Sequence, residues 1–285
     1  MANGGKREGL PGLREPRSRT FALLGRILVG KTTLWDGLAL RRKETGYYPG
    51  TTVPIACGRT AKESLGGDRL TVIDTPGLIS LVSEDEDENI GHRLIQEGWA
   101  DSLLLVADAR NLKRSLAMAL AWWEYGLPVV LDLNMMDEAR MKGITVDPAR
   151  LAQELGAAVG ATVAVDRMGL PELRSLMFQA KPSTRRLEYP APIPEFLDTF
   201  EKLMPRDLRF ARALGLLALG NDRWALRYLE AHCDPGMWRQ VAALLRLTRR
   251  KFPRPPDVVL MDFFLEQAGR MTGAAVTQTP PPPPP

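Results

Sequence analysis

The segment Gly25-Arg26-Ile27-Leu28-Val29-Gly30-Lys31-Thr32 has the spacing G-x4-G-K-[ST]. It follows an apolar run at 21–24 and precedes a stretch of helix length, the setting in which such a pattern cradles phosphate. Glycines let the backbone curl so that successive N–H groups face phosphate oxygens, and the following helix adds the positive end of its dipole. Lys31 then neutralises β and γ phosphates, and the Thr32 hydroxyl is placed to ligate Mg²⁺. Thr33, in the same first helical turn, completes the phosphate-facing set.

Further pieces occur in the order that phosphate and base recognition need. Asp74-Thr75-Pro76-Gly77 closes the apolar run 70–73, where a carboxylate can hold a Mg²⁺-bound water and the Gly77 N–H can reach a γ-phosphate. Upstream, Pro49-Gly50-Thr51-Thr52 lies in a turn-rich stretch before an expected strand, and the Thr52 hydroxyl is the candidate to complete the metal shell. The metal set is therefore Thr32, Thr52 and Asp74, and the catalytic set Lys31, Thr52 and Gly77. After the run 129–133 comes Asn134-Met135-Met136-Asp137, in which the Asp137 carboxylate can accept two hydrogen bonds from guanine N1 and N2. Adenine lacks that donor pair, so the expected ligands are GTP and GDP with Mg²⁺. Thr162-Val163-Ala164 follows the last strand, and the Ala164 N–H is the candidate donor to guanine O6. Each piece has a plainer reading: Asp74 as a turn carboxylate, Thr52 as a strand-edge hydroxyl, 134–137 as a helix start. The joint order is what favours the nucleotide reading.

These residues must be positioned by strand ends. Apolar runs at 21–24, 70–73, 103–107 and 129–133, and a weaker one at 158–163, alternate with helix-length segments. The expectation is a three-layer α/β domain with a mostly parallel sheet, of the P-loop GTPase type, over 20–180. Prolines at 182, 190, 192 and 194 then lead into helical spacing, with Phe196, Phe200 and Leu203 at i, i+4, i+7, which predicts a small all-helical domain over 187–275. Residues 1–19 read as a flexible basic segment without the apolar core of a signal peptide. Residues 276–285 read as a proline-rich tail, in which the six prolines 280–285 favour an extended polyproline helix. The 285 residues, 45% hydrophobic and 25% charged, suffice for two packed cores. No apolar stretch approaches the roughly 18 to 20 residues of a membrane span. The two cysteines, Cys57 and Cys233, lie far apart without ligand-like neighbours and read as buried free thiols. A net charge of +4 is small and concentrated in the amino terminus, so nucleic acid is not expected as a partner.

The wording of Tyr47-Tyr-Pro-Gly-Thr-Thr-Val53, Val106-Ala-Asp-Ala-Arg-Asn-Leu112 and Leu133-Asn-Met-Met-Asp-Glu-Ala139 resembles the G-domain of FeoB-type ferrous iron transporters. The resemblance runs from about 21 to 176 and continues more faintly through 209–222. It implies a cytoplasmic GTP-binding part, at the inner face of the cell membrane, ahead of a membrane-embedded iron permease domain. Its GTP cycle would be coupled to Fe²⁺ uptake, and its helical domain would slow GDP release. Independently of the resemblance, the prolines 280–285 make an SH3-like accessory protein a candidate partner, and an oligomer is left open. Against the family's G-N-P-N-x-G-K-[ST] loop, this chain has Arg26, Ile27 and Leu28. The second of those asparagines is associated with K⁺-assisted hydrolysis, and Leu28 has no side-chain oxygen to hold the cation. Pro54 replaces an acidic residue and Val163 a serine.

Leu78 stands where Ras-like enzymes place a water-orienting Gln, so hydrolysis would rest on Lys31, Mg²⁺ and switch backbone, in the slow regime of roughly 10⁻⁴ to 10⁻² s⁻¹. Arg26 is read either as a built-in charge replacing the lost cation or as a solvent-facing side chain. The alternative to a slow GTPase is a degenerate guanine-nucleotide-binding regulator acting through protein contacts. A ribosome-assembly GTPase is disfavoured, since no GxxG loop or basic stripe follows. The acidic run 83–88 reads as a helix start with a capping box, not an iron site. His92 and His232 lack ligand-spaced partners. Trp122-Trp123 and Met135-Met136 read as packing residues of the core or pocket edge.

Overall fold

The computed structural model describes residues 19–47, 54–61, 69–78 and 89–280. Its first strand, β1 (Thr20–Gly25), is buried along almost its whole length, as the uninterrupted apolar sequence requires of a strand covered on both faces. The helix α1 (Lys31–Leu38) follows, then β2 (Ala39–Tyr47), β3 (Pro54–Thr60), β4 (Thr71–Asp74), α2 (Ile90–Gln96) and β5 (Ser102–Asp108). Next come α3 (Leu112–Leu120), β6 (Pro128–Asn134), α4 (Met136–Met141), β7 (Ile144–Val146), α5 (Pro148–Leu155), β8 (Ala158–Ala161), α6 (Leu170–Phe178) and β9 (Lys181–Pro182). Among the described residues the main sheet has the order β2-β3-β4-β1-β5-β6-β8, with β9 also on β6. The four pairings from β4 to β8 are parallel, and β2, β3 and β9 pair antiparallel.

The carboxyl ends of β1, β4, β6 and β8 therefore open on one edge of the sheet, where such folds bind ligands. β2 is an addition to what the sequence suggested. Its run Arg41-Arg42-Lys43-Glu44 does not read as a strand, but β2 is the outermost member of the sheet, and charge is common on edges.

One face of the sheet is covered by α1 and α6, with Phe21, Leu23, Leu34, Trp35, Val130 and Leu173 in its core. Trp35 Nε1 donates to Val72 O at 3.1 Å and pins α1 to β4. The other core begins with Leu24, Ile73, Leu105, Leu116 and Leu131 and runs without a break into Phe196, Leu214 and Phe264 of the carboxy-terminal helices. Those helices are α7 (Ile193–Leu203), α8 (Ala211–Leu219), α9 (Arg223–His232), α10 (Pro235–Arg249) and α11 (Pro256–Ala275). Asp222 and Asp234 cap α9 and α10 by accepting main-chain N–H bonds. α11 packs back against α3 and α5.

Beyond α11 the chain departs from the tail expected over 276–285. Val276–Gln278 forms β10, antiparallel to β7, and Thr279 N donates to Gly143 O at 2.8 Å. Three residues are too few for a strand pattern in sequence; the exposed edge of β7 supplies the partner. Cys57 is buried and Cys233 only half-buried, and both are free. No helix among the described residues is long and apolar enough to cross a membrane.

Candidate nucleotide-binding site

Gly30 ends the loop after β1 with φ at +84°, and the helix α1 begins at Lys31. A Cβ on Gly30 would lie 2.4 Å from Asn134 Nδ2, so only glycine fits between the loop and the end of β6. The Lys31 side chain curls back over the loop it follows, donating to Gly25 O at 3.2 Å and Arg26 O at 2.9 Å. Burial lowers its pKa, an effect the Asp74 carboxylate opposes. Thr32 Oγ1 donates to Asp74 Oδ2 at 2.9 Å, which joins the start of α1 to the end of β4. Burial raises the Asp74 pKa against the Thr32 bond and the Lys31 charge, and Asp74 Oδ1 is buried without a hydrogen-bond partner among the described residues.

The turn after β4 closes on the phosphate loop. Leu78 N donates to Gly25 O at 3.0 Å and Ile27 N to Leu78 O at 3.2 Å. Gly77 lies against Ile27, where a Cβ would come within 2.6 Å of the isoleucine Cγ2. Thr75 turns its hydroxyl to Leu23 O at 2.6 Å, away from the loop, so its side chain braces the sheet. Val29 is buried, Arg26, Pro76 and Gly77 are half-buried, and Thr33 is exposed. Gly50, Thr51 and Thr52 lie outside the described residues, as does the acidic run 83–88.

On the base side, Met135 has a left-handed backbone (φ +64°), which turns the chain from β6 into α4 and sets the half-buried Asp137 in its first turn. Asn134 links the two halves of the site. Its Nδ2 donates to Val29 O at 3.0 Å, and its Oδ1 accepts from Ala164 N at 3.0 Å. The Ala164 N–H, expected to meet guanine O6, is thus spent on Asn134, because the loop after β8 folds close under β6. Val163 is buried and bonded through its main chain to Met168 O.

Two residues of this region carry more than the sequence reading assigned. Arg110 holds Asp108 at the end of β5 with Nε at 2.9 Å and Nη2 at 3.0 Å, and reaches Glu138, next to Asp137, at 2.5 Å. Asp132, fully buried in β6, accepts from Thr162 Oγ1 at 2.8 Å; burial pushes its carboxyl up to about 7, the Thr162 bond partly opposing. The available signal was a lone carboxylate inside the apolar run 129–133.

Residues 19–177 match the family described as ferrous iron transport protein B. The chain belongs to that family. It is 32% identical over 231 residues to the Fe(2+) transporter FeoB of Escherichia coli K12, which covers 77% of this chain but only 30% of that transporter. Among solved structures, the cytosolic domain of L. pneumophila FeoB superposes with a TM-score of 0.77 at 25% identity, covering 91% of this chain and all of that one. A GDP-bound mutant of the S. thermophilus FeoB G-domain gives 0.75 at 25% identity, with the same coverage.

Against that family background the substituted phosphate loop stands out. Ile27 is 45% and Leu28 85% exposed, and Leu28 adopts a left-handed backbone with φ at +61°. That conformation costs a β- or γ-branched residue more than it costs asparagine. At these two positions the loop thus exposes side chains that offer no oxygen to a cation.

Proposed function

We propose that this FeoB-family chain is a guanine-nucleotide switch that hydrolyses GTP slowly. The observation that carries the reading is Asn134, which ties the phosphate loop at Val29 to the base loop at Ala164 and sets Asp137 one helical turn away. Such a bond makes phosphate grip and base recognition parts of one rigid unit. In this reading Gly25, Arg26, Ile27, Leu28, Val29 and Gly30 offer main chain to the phosphates, and Lys31 carries the positive charge. Thr32 and Thr33 flank them, Gly50, Thr51 and Thr52 close over the γ-phosphate, and Asp74, Thr75, Pro76 and Gly77 sense it. Asn134, Met135, Asp137, Val163 and Ala164 form the base pocket.

The donor set suits Mg²⁺. Thr32 Oγ1 and Asp74 are already together, and the buried Asp74 Oδ1 lacks any other partner among the described residues. Thr32, Thr52 and Asp74 would hold the ion directly or through water, and the ion would neutralise charge on the β and γ phosphates. Leu78 contributes no water-orienting group, which supports a slow reaction. Since the chain spans 30% of the E. coli relative, coupling to a membrane-embedded iron permease at the inner face of the membrane belongs to the whole assembly.

Titration with a labelled GTP analogue against ATP tests the reading, with preference for guanine expected and equal affinity refuting it. A second reading, a binding-only regulator, draws on the exposed Ile27 and Leu28. Single-turnover hydrolysis above background, abolished by Lys31→Ala, separates the two.

A further inference from the structure

We infer that Asp132 is a positioning residue for the base loop, which from inside β6 holds the Thr162 hydroxyl and through it sets Asn134 and Ala164. The inference rests on the guanine-nucleotide reading and adds to it a residue that touches no nucleotide. Asp132 and Asn134 are two apart on one strand and so share a face of the sheet. Between them and the chain after β8 stands Thr162, whose Oγ1 lies 2.8 Å from Asp132 Oδ2 and 3.3 Å from Asn134 Oδ1.

A hydroxyl has one proton to give, and the nearer carboxyl oxygen takes it. With the rotor of Thr162 fixed in this way, Asn134 Oδ1 is left to the Ala164 N–H at 3.0 Å, and Asn134 Nδ2 is aimed at Val29 O. One buried carboxyl thereby orients an amide that serves both halves of the site. Thr162 N also donates to Leu133 O at 2.8 Å, so the same residue is held from main chain and side chain.

Packing alone gives no reason for an acid here. Asp132 is 0% exposed, and its Oδ1 has no hydrogen-bond partner among the described residues. The surroundings are apolar: Val130 precedes it on the same face, and Leu173 and Leu176 approach Gly160, its neighbour on β8. A polar group buried with half its capacity unmet destabilises a fold, and residues kept at such cost cluster where function needs geometry.

The test measures release of labelled GDP from the full chain and from Asp132→Ala, Asp132→Asn, Thr162→Val and the Asp132→Ala/Thr162→Val double variant, with urea unfolding of each as a check on folding. Loss of this one buried hydrogen bond should speed release about tenfold in Asp132→Ala and in Thr162→Val. The double variant should be no faster than either, since both remove one interaction. Asp132→Asn retains an acceptor for Thr162 and should release within about twofold of wild type. Unchanged release from Asp132→Ala, single effects that multiply, or an Asp132→Asn as fast as Asp132→Ala would each overturn the inference. Should Asp132→Ala not fold, wild-type release from Thr162→Val overturns it alone. Failure of the unsubstituted chain to bind labelled GDP would instead sink the nucleotide reading.

Discussion

His92 is the point at which acid should attack this fold. It sits in α2, between Trp122 at 4.1 Å and Trp224 at 5.6 Å between ring centroids, and its Nδ1 is 2.6 Å from the Tyr125 hydroxyl. Trp122 and Tyr125 lie in the segment between α3 and β6, and Trp224 lies in α9, so one imidazole joins the sheet domain to the carboxy-terminal helices. Burial lowers its pKa from the usual 6.5 to about 3. The neutral ring is the folded form, so the stability it contributes is present above 6.5 and is lost as pH falls towards 3. At pH 4.5, two units below the unfolded value of 6.5, the loss is about 3 kcal/mol, at 1.36 kcal/mol per unit.

His92→Phe keeps the stack and removes the titration, at a constant cost for the orphaned Tyr125 hydroxyl. Urea unfolding of both proteins without nucleotide, at pH 7.5 and 4.5, isolates the effect. Asp132 acts in the opposite sense, since an acid raised to about 7 gains stability as pH falls from there towards 4, but it is common to both proteins and cancels. The wild type should lose about 2 to 3 kcal/mol more than the variant between the two pH values. Equal losses would refute the reasoning.

Gly30→Ala places a methyl group on Asn134 Nδ2 and forces alanine to φ +84°. Strain of about 1 kcal/mol and a lost hydrogen bond of about 1 kcal/mol should weaken GDP binding roughly 30-fold by calorimetry. Leu28→Asn should stabilise the folded chain by about 0.5 to 1 kcal/mol in urea, because asparagine tolerates the left-handed backbone that leucine holds at φ +61°. The same change should make GTP turnover faster in K⁺ than in Na⁺, where the unsubstituted chain shows little difference. Asp137→Asn replaces one of two acceptors with a donor; GTP binding should fall about 100-fold and xanthosine nucleotides, with a carbonyl at position 2, should gain.

The outline of the site was legible because its chemistry is local. A loop that must curl around phosphate needs glycines and a lysine at set distances, and a strand buried on both faces must be apolar throughout, so 21–32 announces β1, the loop and α1 together. The same holds for Asp74 and Asn134, each at the end of an apolar run that became β4 or β6. The charged edge strand β2 and the three-residue β10 were illegible, since each exists only because a neighbouring strand offers an edge.

The sequence by itself determined the fold class, the phosphate loop and the order of the recognition segments, because backbone tolerance and hydrophobic period act between near neighbours in the chain. Tertiary structure decided where the polar groups are spent. Asn134 finds Val29 across 105 positions, Gln96 Nε2 finds Arg209 O across 113, and Thr162 takes Asp132 as its acceptor. A buried donor must find some partner, but which one depends on what the packed core brings within about 3 Å, and no spacing along the chain encodes that distance.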